Sequence, residues 1–229
     1  MNYSEIIKRL KSMSNPEAVK GMARFGISTK KAFGISIPDL RRIAREIGKD
    51  HSLAQELWES GIRETRILAS LIDHPKEVSE EQLERWVKDF DCWDVCDQTC
   101  MNLFRYTRFA YQKADEWSNR DEEFVKRAGF VMMATLAVSD KKAADEEFEI
   151  FFPIIKREAN DDRTYVKKAV NWALRQIGKR NISLNKRAIE VAEDIGKIDS
   201  RAAKWIASDA ISEFRSEKIQ ERLQKRSSD

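Results

Sequence analysis

Two stretches of the sequence, Phe124-Val-Lys-Arg-Ala-Gly-Phe130 and Tyr165-Val-Lys-Lys-Ala-Val-Asn171, align with each other at an offset of 41 residues. A third stretch, Ser200-Arg-Ala-Ala-Lys-Trp205, aligns with Lys167-Lys-Ala-Val-Asn-Trp172 at an offset of 33 residues. Repeats of this length are typical of stacked helix pairs, in which each pair buries its apolar face against its neighbours. Chance similarity between amphipathic helices is the alternative, and the shared aromatic-Val-Lys-basic-Ala string argues against it.

Composition agrees with a helical repeat fold. Only 8 Gly and 4 Pro occur in 229 residues, which is too few turn residues for an all-β protein of this size. A charged content of 35% suits long helices with solvated outer faces, and 41% hydrophobic residues suffice for one core. The sequence therefore predicts an all-α protein, a HEAT-like helical repeat solenoid (an α-α superhelix), as a single domain over residues 1–229 with a frayed end at about 225–229.

Several helix starts and breaks can be read directly. Asn15-Pro16-Glu17 and Ser36-Ile37-Pro38-Asp39 each place a capping residue before an early proline and an acid. Apolar residues recur at helical spacing over 62–72, 124–137 and 166–177. Asp73-His74-Pro75 and Lys179-Arg180-Asn181 are polar breaks between helices.

Charge is unevenly distributed along the chain, although the formal net charge is only +3. From Asp73 to Glu123 the sequence has 14 acidic and 7 basic residues, whereas from Arg163 to Lys204 it has 4 acidic and 11 basic residues. A basic block of this kind is a candidate contact for phosphates. The charge count supports an ordinary solvated helical surface equally well.

Equivalent positions of successive repeats line one face of a helical stack. Arg127, Lys168 and Arg201 are equivalent in the alignment, and shorter steps backwards reach Asp97 and Arg66. The two earlier positions depend on spacing rather than on identity. The predicted concave surface therefore carries one carboxylate within a row of cations, and it is expected to bind DNA.

Tryptophans accompany these positions. Trp93 and Asp97 lie one helical turn apart, and Trp172 lies one turn after Lys168. A tryptophan at such spacing is more often part of a core, and an aspartate near a helix start is often a cap. Trp205 holds the place of Trp172 in the last repeat, so at least one of these tryptophans is expected to be structural. The basic surface is predicted to continue through Arg175, Lys179 and Arg180.

No metal site or membrane segment is expected. Cys92, Cys96 and Cys100 are spaced four residues apart, but no histidine lies near them in sequence, so small packing residues in a reduced compartment are the better interpretation. The first residues, Met-Asn-Tyr-Ser-Glu, carry no basic-then-apolar signal, and no apolar run reaches the length of a membrane span. We therefore expect a cytoplasmic protein.

The residues singled out above match a known family. The sequence resembles the DNA alkylation repair proteins of the AlkD type, which are HEAT-like repeat DNA glycosylases. The resemblance extends from the N-terminal region to the last helices. It is carried by four stretches: Phe33-Gly34-Ile35-Ser36-Ile37-Pro38 with Leu40-Arg41-Arg42, Trp93-Asp94-Val95-Cys96-Asp97, Val125-Lys126-Arg127-Ala128, and Lys168-Ala169-Val170-Asn171-Trp172-Ala173-Leu174-Arg175.

The resemblance implies an activity and a set of roles. It implies excision of cationic N3- or N7-alkylated purines from duplex DNA while the lesion stays stacked, unlike glycosylases that extrude the base. Asp97 would stabilise positive charge on the sugar and position a water. Trp93 and Trp172 would flank the sugar-phosphate, and Arg127 would hold a neighbouring phosphate. The expected enzyme is a monofunctional hydrolase that needs no cofactor or metal and acts as a monomer.

Two positions depart from the family's pattern. Cys92 stands before Trp93, where the family has a second aromatic residue. Phe25 is the nearest candidate for the aromatic residue of the first repeat, and it lacks a hydroxyl group. These differences bear on the range of lesions and the rate more than on the reaction.

Two other functions remain open from the sequence. One is a non-catalytic HEAT-repeat module that binds damaged or branched DNA. The other is a HEAT-type scaffold for protein interactions, which would bind duplex DNA negligibly at moderate salt.

Overall fold

The structure is a computed structural model that describes the backbone of residues 1–228 and the side chains of residues 1–226. Within this range every regular element is helical, and no strand occurs. The chain divides into two compact units, which meet in sequence between Phe109 and Ala110. Each unit is described by itself, and the prediction of a single domain stays a prediction. Of the end expected to fray, Asp229 lies outside the described residues.

Unit 1 contains seven α-helices and one short 3-10 helix. The helices are α1 (Tyr3–Ser12), α2 (Pro16–Ala23), α3 (Ile37–Ile47), α4 (His51–Glu59), α5 (Arg63–Ile72), α6 (Glu80–Lys88) and α7 (Trp93–Asn102), and the 3-10 helix is Phe104–Tyr106. Asn15 and Ser36 cap α2 and α3 through their side chains, as their sequence contexts predicted. Helix α5 packs against α3, α4 and α7.

The core of unit 1 is built around two stacked tryptophans. The rings of Trp58 and Trp86 lie 3.9 Å apart and are nearly parallel, and both side chains are buried. Phe90 and Phe104 pack around them at ring distances of 6.1–6.4 Å. Such aromatic contacts stabilise a core beyond the area that they bury.

Unit 2 contains eight α-helices in the described residues, and five of them are longer than any helix of unit 1. The eight helices are α8 (Ala110–Ser118), α9 (Glu123–Ser139), α10 (Glu146–Glu149), α11 (Phe151–Glu158), α12 (Thr164–Gly178), α13 (Ile182–Gly196), α14 (Arg201–Phe214) and α15 (Glu217–Ser228). Helix α9 packs against both α8 and α12, and α12 in turn contacts α13 and α14. Because α9 has neighbours on two sides, its side chains are buried continuously from Val125 to Ala137.

A glycine allows the close approach of α8 and α9. A Cβ atom on Gly129 would lie 2.5 Å from the Ser118 nitrogen and 3.0 Å from the Ala114 carbonyl oxygen, which are backbone atoms. Backbone atoms cannot rotate away as a side chain can. The two helices can therefore hold this spacing only with glycine at position 129.

We expect Gly129→Ala to lower the free energy of unfolding by about 1–3 kcal/mol, because overpacking outweighs the better helix propensity of alanine. The matched control is Gly21→Ala in α2, where no atom lies within 4 Å of the added Cβ. This variant should be neutral or more stable by up to about 1 kcal/mol. Urea unfolding of both variants measures the difference, and equal stabilities would contradict the tight contact.

Candidate functional site

Three of the aligned residues share one place in their helices. Asp97, Arg127 and Lys168 are the fifth residues of α7, α9 and α12. Arg66 is the fourth residue of α5. Arg201 differs, since it is the first residue of α14.

The side chain of Ser200 caps α14 directly before Arg201. The fifth residue of this helix is Trp205, whose side chain is 40% exposed. The alignment of Arg201 with Lys168 is therefore wrong in helix register. Its predicted contact with DNA stays a prediction.

The first turns of α7 hold the pair that the sequence singled out. Trp93 is half-buried, and its indole N–H donates a hydrogen bond of 2.9 Å to the carbonyl oxygen of Phe25. Asp97 follows one turn later and is only 8% exposed. The helix therefore presents a fixed aromatic ring and a carboxylate that is largely removed from water.

The loop before Ser28 is attached to the start of α7. The backbone N–H of Ser28 donates to the sulfur of Cys92 at 3.2 Å, and the Cys92 thiol donates to the Gly26 carbonyl oxygen at 3.5 Å. The Ser28 hydroxyl lies 3.3 Å from a carboxylate oxygen of Asp91. Trp93 holds the carbonyl of Phe25, while Phe25 as a whole is 72% exposed. Cys92 thus fixes the loop that contains Phe25. These are the two residues that depart from the family's pattern.

A buried ion network lies beneath this loop. Arg63 donates through Nε to Asp94 at 2.5 Å and through Nη1 to Glu64 at 3.0 Å, and all three side chains are buried. The carboxylate of Glu64 also accepts from the backbone N–H groups of Phe33, Gly34 and Ile35 at 2.8–3.3 Å. The network therefore joins α5, the first residues of α7 and the segment before α3.

Arg66 lies nearby and is bound within unit 1. It donates to the carbonyl oxygen of Asp89 at 2.8 Å, and its guanidinium group lies 5.3 Å from the Trp58 ring centroid. Together with Lys30 and Lys31 it lines a cleft of about 280 Å³. The predicted contact of Arg66 with DNA stays a prediction.

In unit 2, Arg127 is buried and donates to the carbonyl oxygen of Tyr165 at 2.6 Å. Lys168 and Arg201 are exposed, and within the described side chains neither forms an ion pair. Trp172 is half-buried, one turn after Lys168 on α12. Trp93, Trp172 and Trp205 are thus all partly exposed, whereas Trp58, Trp86 and Trp117 are the buried tryptophans.

The three other predicted DNA-binding cations have partners inside unit 2. Arg175 pairs with Glu213 and, at 2.8 Å, with Asp209, and Lys179 pairs with Glu213 at 2.8 Å. Burial alone would raise the pKa of Glu213, but the hydrogen bonds from Arg175 and Lys179 hold this pKa below its usual value. Their predicted role in DNA binding stays a prediction, and their observed role is to join α12 to α14.

Arg180 is enclosed by backbone. It donates to the carbonyl oxygens of Ala137, Asp140 and Ala143 at 2.7–3.0 Å and lies 3.9 Å from the Phe148 ring centroid. It therefore secures the loop after α9. Sequence reasoning missed this role, as it missed the Arg63 network and the acids of α14, although Asp209 and Glu213 lie four residues apart on one helix face.

The cysteines and the helix lengths also bear on function. Cys92, Cys96 and Cys100 are free and buried, which confirms them as packing residues. In the residues that the structure describes, no group of three or more His, Cys, Asp or Glu side chains could hold a metal ion. In the same residues, no helix combines the length and apolar character that crossing a membrane requires.

Comparison with known proteins identifies the family. A family model described as "DNA alkylation repair enzyme" matches residues 6–214. The chain belongs to this family. An uncharacterized protein of Listeria innocua serovar 6a is 24% identical over 202 residues, covering 86% of this chain and 88% of the relative. An uncharacterized protein of Listeria monocytogenes serovar 1/2a is 22% identical with the same coverage.

A solved structure extends the family likeness to the fold. It is described as "a new family of proteins related to the HEAT-like repeat DNA glycosylases with affinity for branched DNA structures". It superposes with a TM-score of 0.79 at 21% identity, covering 97% of this chain and 96% of its own. The predicted all-α, HEAT-like repeat fold of the DNA alkylation repair family is confirmed.

We expect the native protein to resist thiol reagents. Burial raises the pKa of the Cys92 thiol to about 11, so at pH 8 its thiolate fraction is only about one in a thousand. An aromatic disulfide reagent should therefore modify no cysteine within minutes in native buffer and all three after denaturation. The absorbance of the thiol that the reagent releases measures the modification in native buffer and after denaturation. Rapid loss of one thiol that Cys92→Ser abolishes would contradict the buried contact with the loop.

Proposed function

We propose that this member of the DNA alkylation repair family is a DNA glycosylase. It would hydrolyse the N-glycosidic bond of cationic N3- or N7-alkylated purines in duplex DNA. The observation that carries the proposal is the pair on α7, in which Trp93 is held by the Phe25 carbonyl and Asp97 lies one turn further on. No cofactor is part of the proposed reaction, and a monomer suffices for it.

The proposed reaction does not need a general acid to protonate the leaving purine. An alkylated purine that already carries positive charge leaves with the electron pair of the glycosidic bond and becomes neutral. Positive charge then develops at the anomeric carbon, where the carboxylate of Asp97 would stabilise it and orient a water for attack. The water oxygen forms the new bond to carbon, and its proton passes to Asp97 or to solvent. The low exposure of Asp97 supports this role, because a charge acts more strongly where water is excluded.

The aromatic residues would hold the cationic sugar. An indole face attracts a cation with about 0.5–2 kcal/mol, depending on how much water is excluded. The hydrogen bond from Trp93 to the Phe25 carbonyl supports the proposal, because it fixes the ring without using its face. Trp172 is proposed to act in the same way, and its partial exposure is consistent with such a contact.

Phosphate contacts are proposed for cations of both units. Lys168 and Arg201 are the strongest candidates, because they are exposed and, among the described side chains, form no ion pair. Arg127 is proposed to hold the phosphate beside the lesion, and Arg66 to contribute from its cleft.

Three further cations are proposed to lie behind this contact surface. Phosphate binding by Arg175 or Lys179 would first have to break their pairs with Asp209 and Glu213. Both terminal nitrogens of Arg180 already donate to backbone carbonyl oxygens. They would support the surface rather than contact DNA first.

The reaction is tested by release of 7-methylguanine or 3-methyladenine from alkylated duplex DNA. Asp97→Asn should lower the single-turnover rate by about 10²–10³-fold, because the neutral amide cannot stabilise the developing charge. The matched control is Asp115→Asn, which removes the same charge from an exposed site on α8 and should keep the native rate. If purified native protein releases neither base, the glycosylase proposal fails for these lesions.

A second candidate function is non-catalytic binding of branched or damaged DNA. It is favoured by one observation, the likeness to the solved structure of a protein family described as having affinity for branched DNA. The same experiment separates the two. A non-catalytic module would bind a four-way junction more tightly than linear duplex, release no base, and retain its affinity in Asp97→Asn.

Ion pairing gives a prediction about DNA affinity. We expect Lys168→Gln and Arg201→Gln each to reduce the slope of log affinity against log salt by about one, because each would remove one phosphate contact. Arg175→Gln should leave this slope nearly unchanged, since its charge is already paired with Glu213 and Asp209. Titrations of labelled duplex at several salt concentrations measure the slopes. If Arg175→Gln reduced the slope more than Lys168→Gln does, the assignment of Lys168 as a phosphate contact and of Arg175 as a paired residue would be wrong.

A further inference from the structure

The segment after α7 alternates aromatic and basic residues. It reads Phe104-Arg-Tyr-Thr-Arg-Phe109 and begins with the 3-10 helix Phe104–Tyr106. Phe104 is buried in the core of unit 1, whereas the side chain of Tyr106 is 55% exposed. Tyr106 follows the end of α7 opposite to Trp93, and α7 itself is about 15 Å long at 1.5 Å per residue.

Both arginines of the segment lie against aromatic rings. The guanidinium group of Arg105 is 4.6 Å from the Tyr106 ring centroid and donates to the Tyr106 hydroxyl at 2.5 Å. The guanidinium group of Arg108 is 4.7 Å from the Phe109 ring centroid. In the described part of the chain neither arginine pairs with a carboxylate, and the buried Nε of Arg105 has no hydrogen-bond partner. Their charge is therefore available to a ligand, although the surrounding sequence is strongly acidic.

A cleft adjoins the exposed ring. Its volume is about 350 Å³, within the usual range of ligand sites of roughly 300–1,000 Å³. Two of its lining residues are cations and none is an acid; the lining is Pro75, Lys76, Val78, Tyr106, Thr107 and Arg108. Lys76 is exposed and comes from the loop between α5 and α6. The cleft thus combines an accessible aromatic ring with positive charge.

We propose that this cleft binds a single-stranded DNA segment, separately from the excision site. An unpaired base would stack on the open face of Tyr106, whose other face is covered by Arg105. Lys76 and Arg108 would contact the phosphates on either side. Single-stranded rather than duplex DNA is favoured, because only an unpaired base offers its face to a ring, and a base within a duplex is stacked on both sides.

The test is the affinity of the full-length protein for a labelled oligothymidylate of about 12 nucleotides, measured by fluorescence anisotropy. Tyr106→Ala should weaken binding by about tenfold or more, because one base loses its stacking partner, whereas Tyr106→Phe should bind like the native protein. Arg108→Gln should weaken binding and reduce the salt slope by about 0.7, the value for one contact with a single strand. Tyr106→Ala should leave the salt slope unchanged.

Controls separate this site from the others. Arg45→Gln removes one charge from an exposed position on α3 and should leave oligothymidylate binding unchanged. Thermal unfolding checks that each variant keeps its fold. The proposal is overturned if native protein does not bind the oligothymidylate, if Tyr106→Ala binds it normally, or if Tyr106→Ala weakens blunt duplex equally. None of these outcomes depends on base excision, so the glycosylase proposal is tested independently.

Discussion

The guanidinium group of Arg63 is shared between Glu64 and Asp94, away from water, and much of unit 1 depends on this contact. Removing three charged groups from water costs several kcal/mol each, so the arrangement is stable only when nearly every hydrogen bond is made. Glu64 meets this condition by accepting from three consecutive backbone N–H groups, residues 33–35. Gly34 is required among them, because its φ is +79° and a Cβ there would lie 2.3 Å from the Asn15 carbonyl oxygen. Loss of one partner would leave buried charge uncompensated, which typically costs about 3–5 kcal/mol.

The network explains how α7 can begin without a side-chain cap. Cys92 occupies the capping position but makes no capping hydrogen bond there. The first residues of α7 are held from outside instead, by Arg63 through Asp94 and by the loop that Trp93 and Cys92 bind. The start of a helix without a cap tends to fray, whereas here Trp93 is held by its hydrogen bond to Phe25 and Asp94 is held by Arg63. The proposed catalytic pair therefore rests on a preorganised support, which is what a reaction that relies on electrostatic stabilisation requires.

Sequence reasoning succeeded where the determinants are local. The capping side chains of Asn15 and Ser36 act on residues three positions away, so the starts of α2 and α3 could be read directly. It failed where a partner is distant in sequence. Arg175 meets Asp209 after 34 residues, and nothing in a local charge count reveals that the acids of α14 would neutralise it. Arg201 was placed in the wrong helix register because the alignment followed residue identities and did not consider that Ser200 caps α14. The Trp93 and Asp97 pair was singled out by its one-turn spacing and by the resemblance to the family, while its support by Arg63 gave no signal in the sequence.

The paired charges between α12 and α14 have a consequence at long range. Arg175 and Lys179 face Asp209 and Glu213 at contact distance, so the four charges sum to zero and their combined potential decays steeply with distance. At physiological ionic strength it is further screened over about 8 Å. An approaching polyanion would therefore be steered by isolated cations such as Lys168, and hardly by the cluster that makes the sequence look most basic. The density of charged residues on a helix and the attraction that the helix exerts on a distant polyanion are thus different properties. The rate of association with DNA should follow the attraction.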